Sequence, residues 1–401
     1  MKVLIAEDDI VSGQLLSRLL KKWALEAVET QDGAQAWRAL ENDPEIQLLI
    51  TDWMMPEMDG LTLVKKARSQ EREKYLHIIM LTAKSSHQDL LDGLNAGADT
   101  FLNKPFDAAE LEAHVRVAKR MVELEDRTMR QLEELREKNN HIRNDLEAAR
   151  RIQQALLPQE APSAGRYEFS WVFDSCDAVA GDMLNIFPLD ESHVGFYVLD
   201  VAGHGVQAAL LSVSLSHLLD PMPHRAGLLK RRVESEPGYE IVEPRNVADE
   251  LNCQFEKLGH TGVFFTMIYG IIDTRQHALT YTRTGHPHPV IVDSEGARSL
   301  GYCEGLPIGV DESAVFEQKT IEFKPGDQLF VYTDGVDEIA DAEGNILGAE
   351  GVRRLLNQTK NQPIRKAVMS LRGALQEYVA PNPQLDDITI LGIRLKTVNE
   401  P

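Results

Sequence analysis

Apolar runs KVLIAED, LEAVET, IQLLITD, HIIMLTA and TFLNKP alternate with stretches of helical period through the first 120 residues. That alternation predicts a five-stranded, doubly wound parallel sheet. From Asp107 the strand signal stops, and dense charge with no glycine or proline before Pro158 predicts helix through Leu157. Along it Leu132, Leu135, Asn139, Ile142, Leu146, Ala149, Gln153 and Leu156 follow alternating steps of three and four. This is the seam of a short coiled coil, and an asparagine at a first core position favours a parallel two-stranded register, so the connector predicts a homodimer. Leu111, Val115, Ala118 and Val122 repeat the spacing in a frame that slips near Leu132. A single amphipathic helix packed on a neighbouring domain is the alternative. Beyond LLPQEAPSAG the runs YEFSWVF, HVGFYVLDV, FFTMIYGIID, ALTYTRTGH, DQLFVYTDG and DDITILGIRL read as strands, with helical stretches near 206–219, 246–258 and 363–379. Strands outnumber helices there and predict a sheet sandwich flanked by helices. The expected division is a doubly wound domain over 1–120, a helical connector over 121–157 and the sandwich over 158–397.

Length agrees with that division, since 401 residues exceed one ordinary core. No apolar run approaches the roughly 20 residues of a membrane helix, and MKVLIAEDD meets acid too early for a signal peptide, so a cytoplasmic protein is expected. The formal charge of -21 repels nucleic-acid phosphate, and the short basic cluster Lys230-Arg231-Arg232 lies beside Glu234 and Glu236. No basic recognition helix follows the first domain, which speaks against a transcription factor. Cys176, Cys253 and Cys303 are scattered without metal-type spacing and read as buried or neutral thiols.

In a doubly wound sheet ligands collect beyond the carboxyl ends of the strands. The runs end at Asp8 and Asp9, Asp52, Thr82 and Lys104. Like charges about 4 Å apart repel by about 4 kcal/mol at an effective dielectric near 20. A divalent cation relieves this, and oxygen ligands suit magnesium. Asp52, at the tip of the central strand, is then the natural nucleophile towards a phosphoryl donor, with Lys104 and Thr82 placed to hold phosphoryl oxygens. Taken singly, Asp9 or Asp59 could equally be a helix cap.

The residues EDD at 7–9, LLITDWMMPEMDG around Asp52, MLTA with Thr82 and FLNKPF with Lys104 resemble the response-regulator receiver family across the whole first domain. The resemblance implies a flavodoxin-like fold, Asp52 as phosphoacceptor, Asp8 and Asp9 as magnesium ligands with Asp52, and Thr82 and Phe101 as switch residues. Core packing is the other reading of Phe101.

Aspartates again stand at strand ends in the last domain: Asp182, Asp200, Asp334, and Asp386 with Asp387. A buried carboxylate set needs cations, and two metals sharing a carboxylate can activate water against a phosphate ester. The stretches ARRIQQALLP, AGD, LDVAGHG, FFTM, TGHPHP, GLPIG, VYTDGVDE and DDITIL look like the metal-dependent PPM-type serine/threonine phosphatases, and more closely their SpoIIE-like branch, over nearly all of 148–395. The resemblance implies an αββα sandwich holding two Mn2+ or Mg2+ ions, Asp200 bridging them, Asp182, Asp334 and Asp386 as further ligands, and the Val201 carbonyl as a backbone ligand. It also implies a phosphorylated anti-sigma-factor antagonist as substrate and a sensor histidine kinase or other phosphodonor upstream. Asp387 reads as a neighbouring polar partner. His204 is either a proton donor to the leaving oxygen or part of a tight turn between glycines. His286 and His288, beside the turn-marking Pro287 and Pro289, read as structural.

Two departures and one rival remain. In AGDMLNIF, at 180–187, Ala180 and Asn185 stand where the family usually has glycine and a second acid. Positions three apart on a strand face opposite ways, so Asn185 is expected to turn away from the metals that Asp182 faces. The stretch 220–245 reads as a flap over the active site or a disordered loop. The rival function is an inactive phosphatase-like adaptor whose receiver gates binding of a partner.

Overall fold

The computed structural model describes every residue except 71, 73, 84–86, 222–226, 235, 237, 258–261, 302 and 398–401, and the side chains at 87–90 and 256–257. The chain divides into two compact units at His141 and Ile142.

In the first unit β1 (Lys2–Ala6), α1 (Ile10–Lys22), β2 (Glu26–Thr30), α2 (Gly33–Asn42), β3 (Ile46–Asp52), α3 (Gly60–Ser69), β4 (His77–Thr82), α4 (His87–Ala96) and β5 (Thr100–Asn103) alternate. The strands pair in parallel in the order β2-β1-β3-β4-β5. Because helices cover both faces, the central strand IQLLITD is buried at all positions but its last. Aspartates cap helices here: Asp9, Asp32 and Asp59 accept the backbone N–H of Ser12, Gln35 and Thr62. The order reverses direction between β1 and β3, which opens a crevice at their carboxyl ends.

α5 runs without a break from Ala108 to Leu156. Leu111, Val115 and Ala118 join the core beneath β1, β3 and β4, and Val122 is buried as well. These four residues therefore do not extend the coiled-coil seam: they are the stripe that packs α5 on its own sheet. Leu132, Leu135 and Ile142 are exposed at 45%, 55% and 57%.

The second unit continues with β6 (Tyr167–Asp174), β7 (Met183–Pro188), β8 (His193–Val201), α6 (Val206–Leu218), β9 (Lys230–Arg232), β10 (Tyr239–Ile241), α7 (Pro244–Lys257), β11 (Phe265–Asp273), β12 (Ala278–Thr284), β13 (Val290–Val292), β14 (Ala297–Ser299), β15 (Gln318–Glu322), β16 (Gln328–Tyr332), α8 (Asp334–Asp337), α9 (Gly348–Asn357), α10 (Ile364–Val379) and β17 (Ile388–Leu395). Two antiparallel five-stranded sheets result, β15-β12-β11-β8-β7 and β14-β13-β16-β17-β6. Strand alternation divides their side chains among three layers. Phe196 and Val198 of β8 meet Val331 and Leu391 between the sheets. Tyr197 and Leu199 pack outward on Leu215 of α6 and Leu251 of α7. Phe330 and Tyr332 pack outward on Val352 of α9 and Leu371 of α10. This is the αββα sandwich, helices outside and sheets within.

The stretch 220–245 corrects the flap expectation. Residues 222–226, 235 and 237 lie outside the described residues, but β9 and β10 form an antiparallel hairpin within it. Tyr239 and Ile241 line a cavity of 540 Å3 with Asp190, His193 and Asp273. His193 begins β8 and Asp200 lies near its other end, roughly 23 Å away at 3.3 Å per residue. The hairpin therefore packs at the far end of the sheet from Asp200.

Candidate functional site

In the receiver crevice, β3 delivers Asp52 and the loop after β5 delivers Lys104. The Lys104 ammonium donates to Asp52 Oδ2 at 2.8 Å and to both oxygens of Glu7 at 2.8 and 2.7 Å. The Trp53 backbone N–H donates to Asp52 Oδ1 at 2.6 Å. Glu7, Asp8 and Asp52 each bring a carboxylate oxygen within 4.8 Å of the others. Burial raises the Glu7 carboxyl against the pull of Lys104. Three hard oxygen donors with one ammonium leave net negative charge, a set that fits a divalent cation.

Asp9 is not in that group. Its Oδ2 accepts the Ser12 N–H at 3.0 Å and the Ser12 hydroxyl at 2.6 Å, capping α1. The Ser12 hydroxyl is the main reason its carboxyl lies below the ordinary range. Glu7 stands where Asp9 was expected: one residue past the end of β1 it points into the crevice, while Asp9 already belongs to the helix. Gly60 keeps the turn closed, since a Cβ there would overlap the Asp52 carbonyl. Thr82, buried at the end of β4, accepts the Lys104 N–H on its backbone carbonyl at 2.8 Å. Phe101 is half-buried with its ring over Gly93 of α4, where a Cβ would collide with it.

In the sandwich, Asp182 precedes β7 and is 1% exposed, with Thr333 donating its hydroxyl to Oδ2 at 2.8 Å. Burial, then Asp200, then Asp387 push its carboxyl far above the ordinary range. Burial, then Asp334, Asp386 and Asp387 lift Asp200 to about 7. Burial, then Asp386 and Glu338 lift Asp334 to about 6. Asp386 is raised chiefly by burial. Asp182, Asp200, Asp334 and Asp386 thus sit in one mutually repelling field, and divalent cations are the physical remedy for such a set. Asp337, lifted to about 6 by burial and by Asp334, belongs to the same field and was not singled out from sequence.

Asp387 does different work. It accepts the Cys176 N–H at 2.9 Å and the Gly181 N–H at 2.8 Å, pinning the loop that carries Asp182. Gly335 admits this approach, because a Cβ would overlap the Asp387 carbonyl. The Val201 carbonyl lies against Gly181. His204 is 84% exposed, its Nδ1 3.3 Å from Asp177 Oδ2, and Gly203 and Gly205 on either side adopt φ of 95° and 80°. Gly205 caps α6, so the turn into the helix is real, and the imidazole it displays points outward. His286 is fully buried, with Nδ1 2.7 Å from the Thr266 hydroxyl.

Sequence reasoning also missed Gln153. It lies on the expected seam, yet it is buried, its amide donating to the Ala180 carbonyl at 2.7 Å and accepting the Ala180 N–H at 3.0 Å. It also donates to Ser212 Oγ at 3.2 Å. The seam therefore stops short of its expected end, because α5 there docks on the AGD loop.

An acidic crevice on a doubly wound sheet, followed by an αββα sandwich with aspartates gathered at its strand ends, marks a receiver fused to a PP2C-like phosphatase domain. The family model for the response regulator receiver domain matches residues 3–116, and that for stage II sporulation protein E (SpoIIE) matches 190–396, so the chain belongs to the SpoIIE family. Chemotaxis protein CheY1 of Helicobacter pylori is 36% identical over 118 residues, 29% of this chain and 95% of that one. Phosphoserine phosphatase RsbP of Bacillus subtilis is 27% identical over 196 residues, covering 49% of this chain and 46% of RsbP. The chain thus spans less than half of that relative. The SiaA-PP2C domain of Pseudomonas aeruginosa superposes with a TM-score of 0.54 at 23% identity, covering 64% of this chain and 97% of that one, which supports the fold. Among the described residues no helix is long and apolar enough to cross a membrane.

Proposed function

We propose that this protein is a two-component response regulator whose output is manganese- or magnesium-dependent hydrolysis of phosphoserine or phosphothreonine in a protein, controlled by phosphorylation of Asp52. The convergence of Asp182, Asp200, Asp334 and Asp386 from separate strand ends, with their carboxyls raised by burial and by acidic neighbours, supports the reading. Asp200, Asp182, Asp334, Asp386 and the Val201 carbonyl would hold two divalent cations, with Asp200 between them. Bound there, the cations supply Lewis-acid neutralisation of the phosphate and a water of lowered pKa. Thr333 orients Asp182, and Asp387 fixes the loop that presents it. His204, its Nδ1 turned to Asp177, offers Nε2 as the atom that would pass a proton to the departing serine oxygen.

At the receiver, Asp52 would attack the phosphoryl donor, a sensor histidine kinase or another phosphodonor, with Lys104 and Thr82 on the phosphoryl oxygens and Phe101 as switch residue. Glu7, Asp8 and Asp52 would hold Mg2+. The working division stays 1–120, 121–157 and 158–397. The exposed stripe of Leu132, Leu135 and Ile142 with Asn139 between supports a parallel homodimer. The substrate class is a phosphorylated anti-sigma-factor antagonist in the cytoplasm; similarity to a protein named phosphoserine phosphatase supports the phosphoserine part.

The test is hydrolysis of a phosphoserine peptide and of p-nitrophenyl phosphate with manganese. Asp200→Asn and Asp334→Asn should each lower the rate by at least about a hundredfold, the scale of losing one electrostatic partner of the transition state. A folded wild-type protein that binds the phosphopeptide without turning it over would establish the adaptor instead.

A further inference from the structure

Beside the acid group α8 and the segment 379–386 enclose a cavity of 380 Å3. Ile339, Val379, Pro383 and Leu385 give it apolar walls, and Glu338 and Asp386 stand on its lining as the charged groups. Leu385 is 86% exposed, a large apolar side chain left uncovered next to Asp386. Single exposed leucines are ordinary. This one borders an apolar hollow that runs into a charged reaction site, and that combination asks for an occupant.

We infer that the cavity receives an apolar side chain of the protein substrate, a few residues from its phosphorylated serine. The inference rests on the phosphatase reading. Continuity carries it first: Asp386 belongs both to the acid group and to the cavity, and Gly335, also in its lining, directly follows Asp334. An extended peptide advances about 3.3 Å per residue, so a chain with its phosphate at the aspartates brings a near neighbour over the hollow. Size comes second, since 380 Å3 is at the small end of ligand pockets of about 300–1,000 Å3 and suits one side chain better than a folded element. Charge comes third. Glu338 repels an acidic residue, and burying an unpaired carboxylate against Ile339 and Val379 is costly, so leucine-like side chains are favoured there over aspartate or glutamate.

Leu385 is exposed, so its replacement leaves the core intact. Two phosphoserine peptides, identical except for leucine or aspartate at the neighbouring positions, are compared on wild type, Leu385→Ala, Leu385→Asp and Ala340→Leu, the last filling the hollow from within. KM and kcat are measured with manganese, p-nitrophenyl phosphate serves as a substrate without the peptide's neighbouring side chains, and anisotropy of the labelled peptides reads binding without turnover. Wild type should prefer the leucine peptide. Each variant should raise its KM about tenfold, the scale set by a side chain removed from a hydrophobic pocket, with kcat and p-nitrophenyl phosphate hydrolysis unchanged. Equal KM and equal binding for both peptides across all four proteins would overturn the inference and leave the phosphatase reading standing. Leu385-dependent binding without turnover of any substrate would remove the phosphatase reading and keep the cavity as a peptide-docking site.

Discussion

Asn185 occupies a position where the family usually carries an acid, and the layers of the sandwich decide what that means. Leu184 and Ile186 of β7 point between the sheets, whereas Met183 and Phe187 pack outward under α6 and α7. Asn185 shares the outward face, its Oδ1 2.8 Å from the Ile186 N–H, while Asp182 reaches Thr333 across the sandwich. The asparagine is no gap in the acid group, and simple strand alternation was enough to read that. His286 supports the site from behind through Thr266, whose strand partner is Asp200. Burial, then the Arg283 guanidinium, lower its pKa from 6.5 to about 3. A histidine kept neutral in the folded state binds fewer protons than in the unfolded one, so its contribution is complete above pH 6.5 and is lost as pH falls towards 3, at up to about 1.4 kcal/mol per unit. Urea midpoints of wild type and His286→Gln between about pH 4 and 7 check this. The wild-type advantage should shrink steadily on acidification, and a pH-independent difference would contradict the burial argument. Glu7 and Asp9 mark the limit of legibility at this scale. Three acids in a row all look fit for a metal, and only the point where α1 begins decides which one becomes a cap.

Elements were legible where one periodicity had one partner. The five receiver strands and the six quoted sandwich strands are there because each is a continuous apolar or alternating run. The short strands β9 and β10 were not, since KRR and YEI have too few residues to show a period. α5 shows a subtler failure: a helix that changes partners keeps its three-four spacing but shifts frame. Its first stripe faces the receiver sheet, its middle stripe is exposed, and Gln153 near its end is buried in the second unit. The frame slip near Leu132 lies between the stripe on the receiver sheet and the exposed stripe that follows it. Gln153 stands at the end where the helix meets the loop of Asp182. Gln153→Ala removes both bonds to the Ala180 backbone, leaving its buried N–H unpaired and its carbonyl with only the Ser212 hydroxyl at 3.5 Å, which should lower stability by about 1–3 kcal/mol. It should also raise the manganese concentration needed for half-maximal rate, because Gly181 and Asp182 follow directly on Ala180. Urea unfolding with a manganese titration of phosphopeptide hydrolysis tests both. A variant that loses stability but keeps its manganese dependence would confine Gln153 to packing.

The whole molecule is a receiver with an acidic crevice and an acid-lined sandwich, and α5 contributes residues to both units. A signal is explained only if phosphorylation changes the relative stability of two states of that connection. The receiver supplies a local cause: Lys104 now divides its ammonium between Asp52 and Glu7, and a phosphoryl group on Asp52 would draw it, with Thr82, onto new oxygens. If the proposed pairing of two copies through Leu132, Leu135, Asn139 and Ile142 forms, it would hold two α5 helices in one register, so that a shift at the receiver end would be shared. Light scattering should therefore give twice the 44.9 kDa chain mass. Acetyl phosphate should change the rate of phosphopeptide hydrolysis by about fivefold or more, the lower end of ordinary coupling energies, and Asp52→Ala should remove that change. Asn139→Leu, which relaxes the two-stranded preference, should alter the mass or weaken the response even with Asp52 intact. A monomer that still responds to acetyl phosphate through Asp52 would show that coupling runs along a single α5 and that the seam has another use.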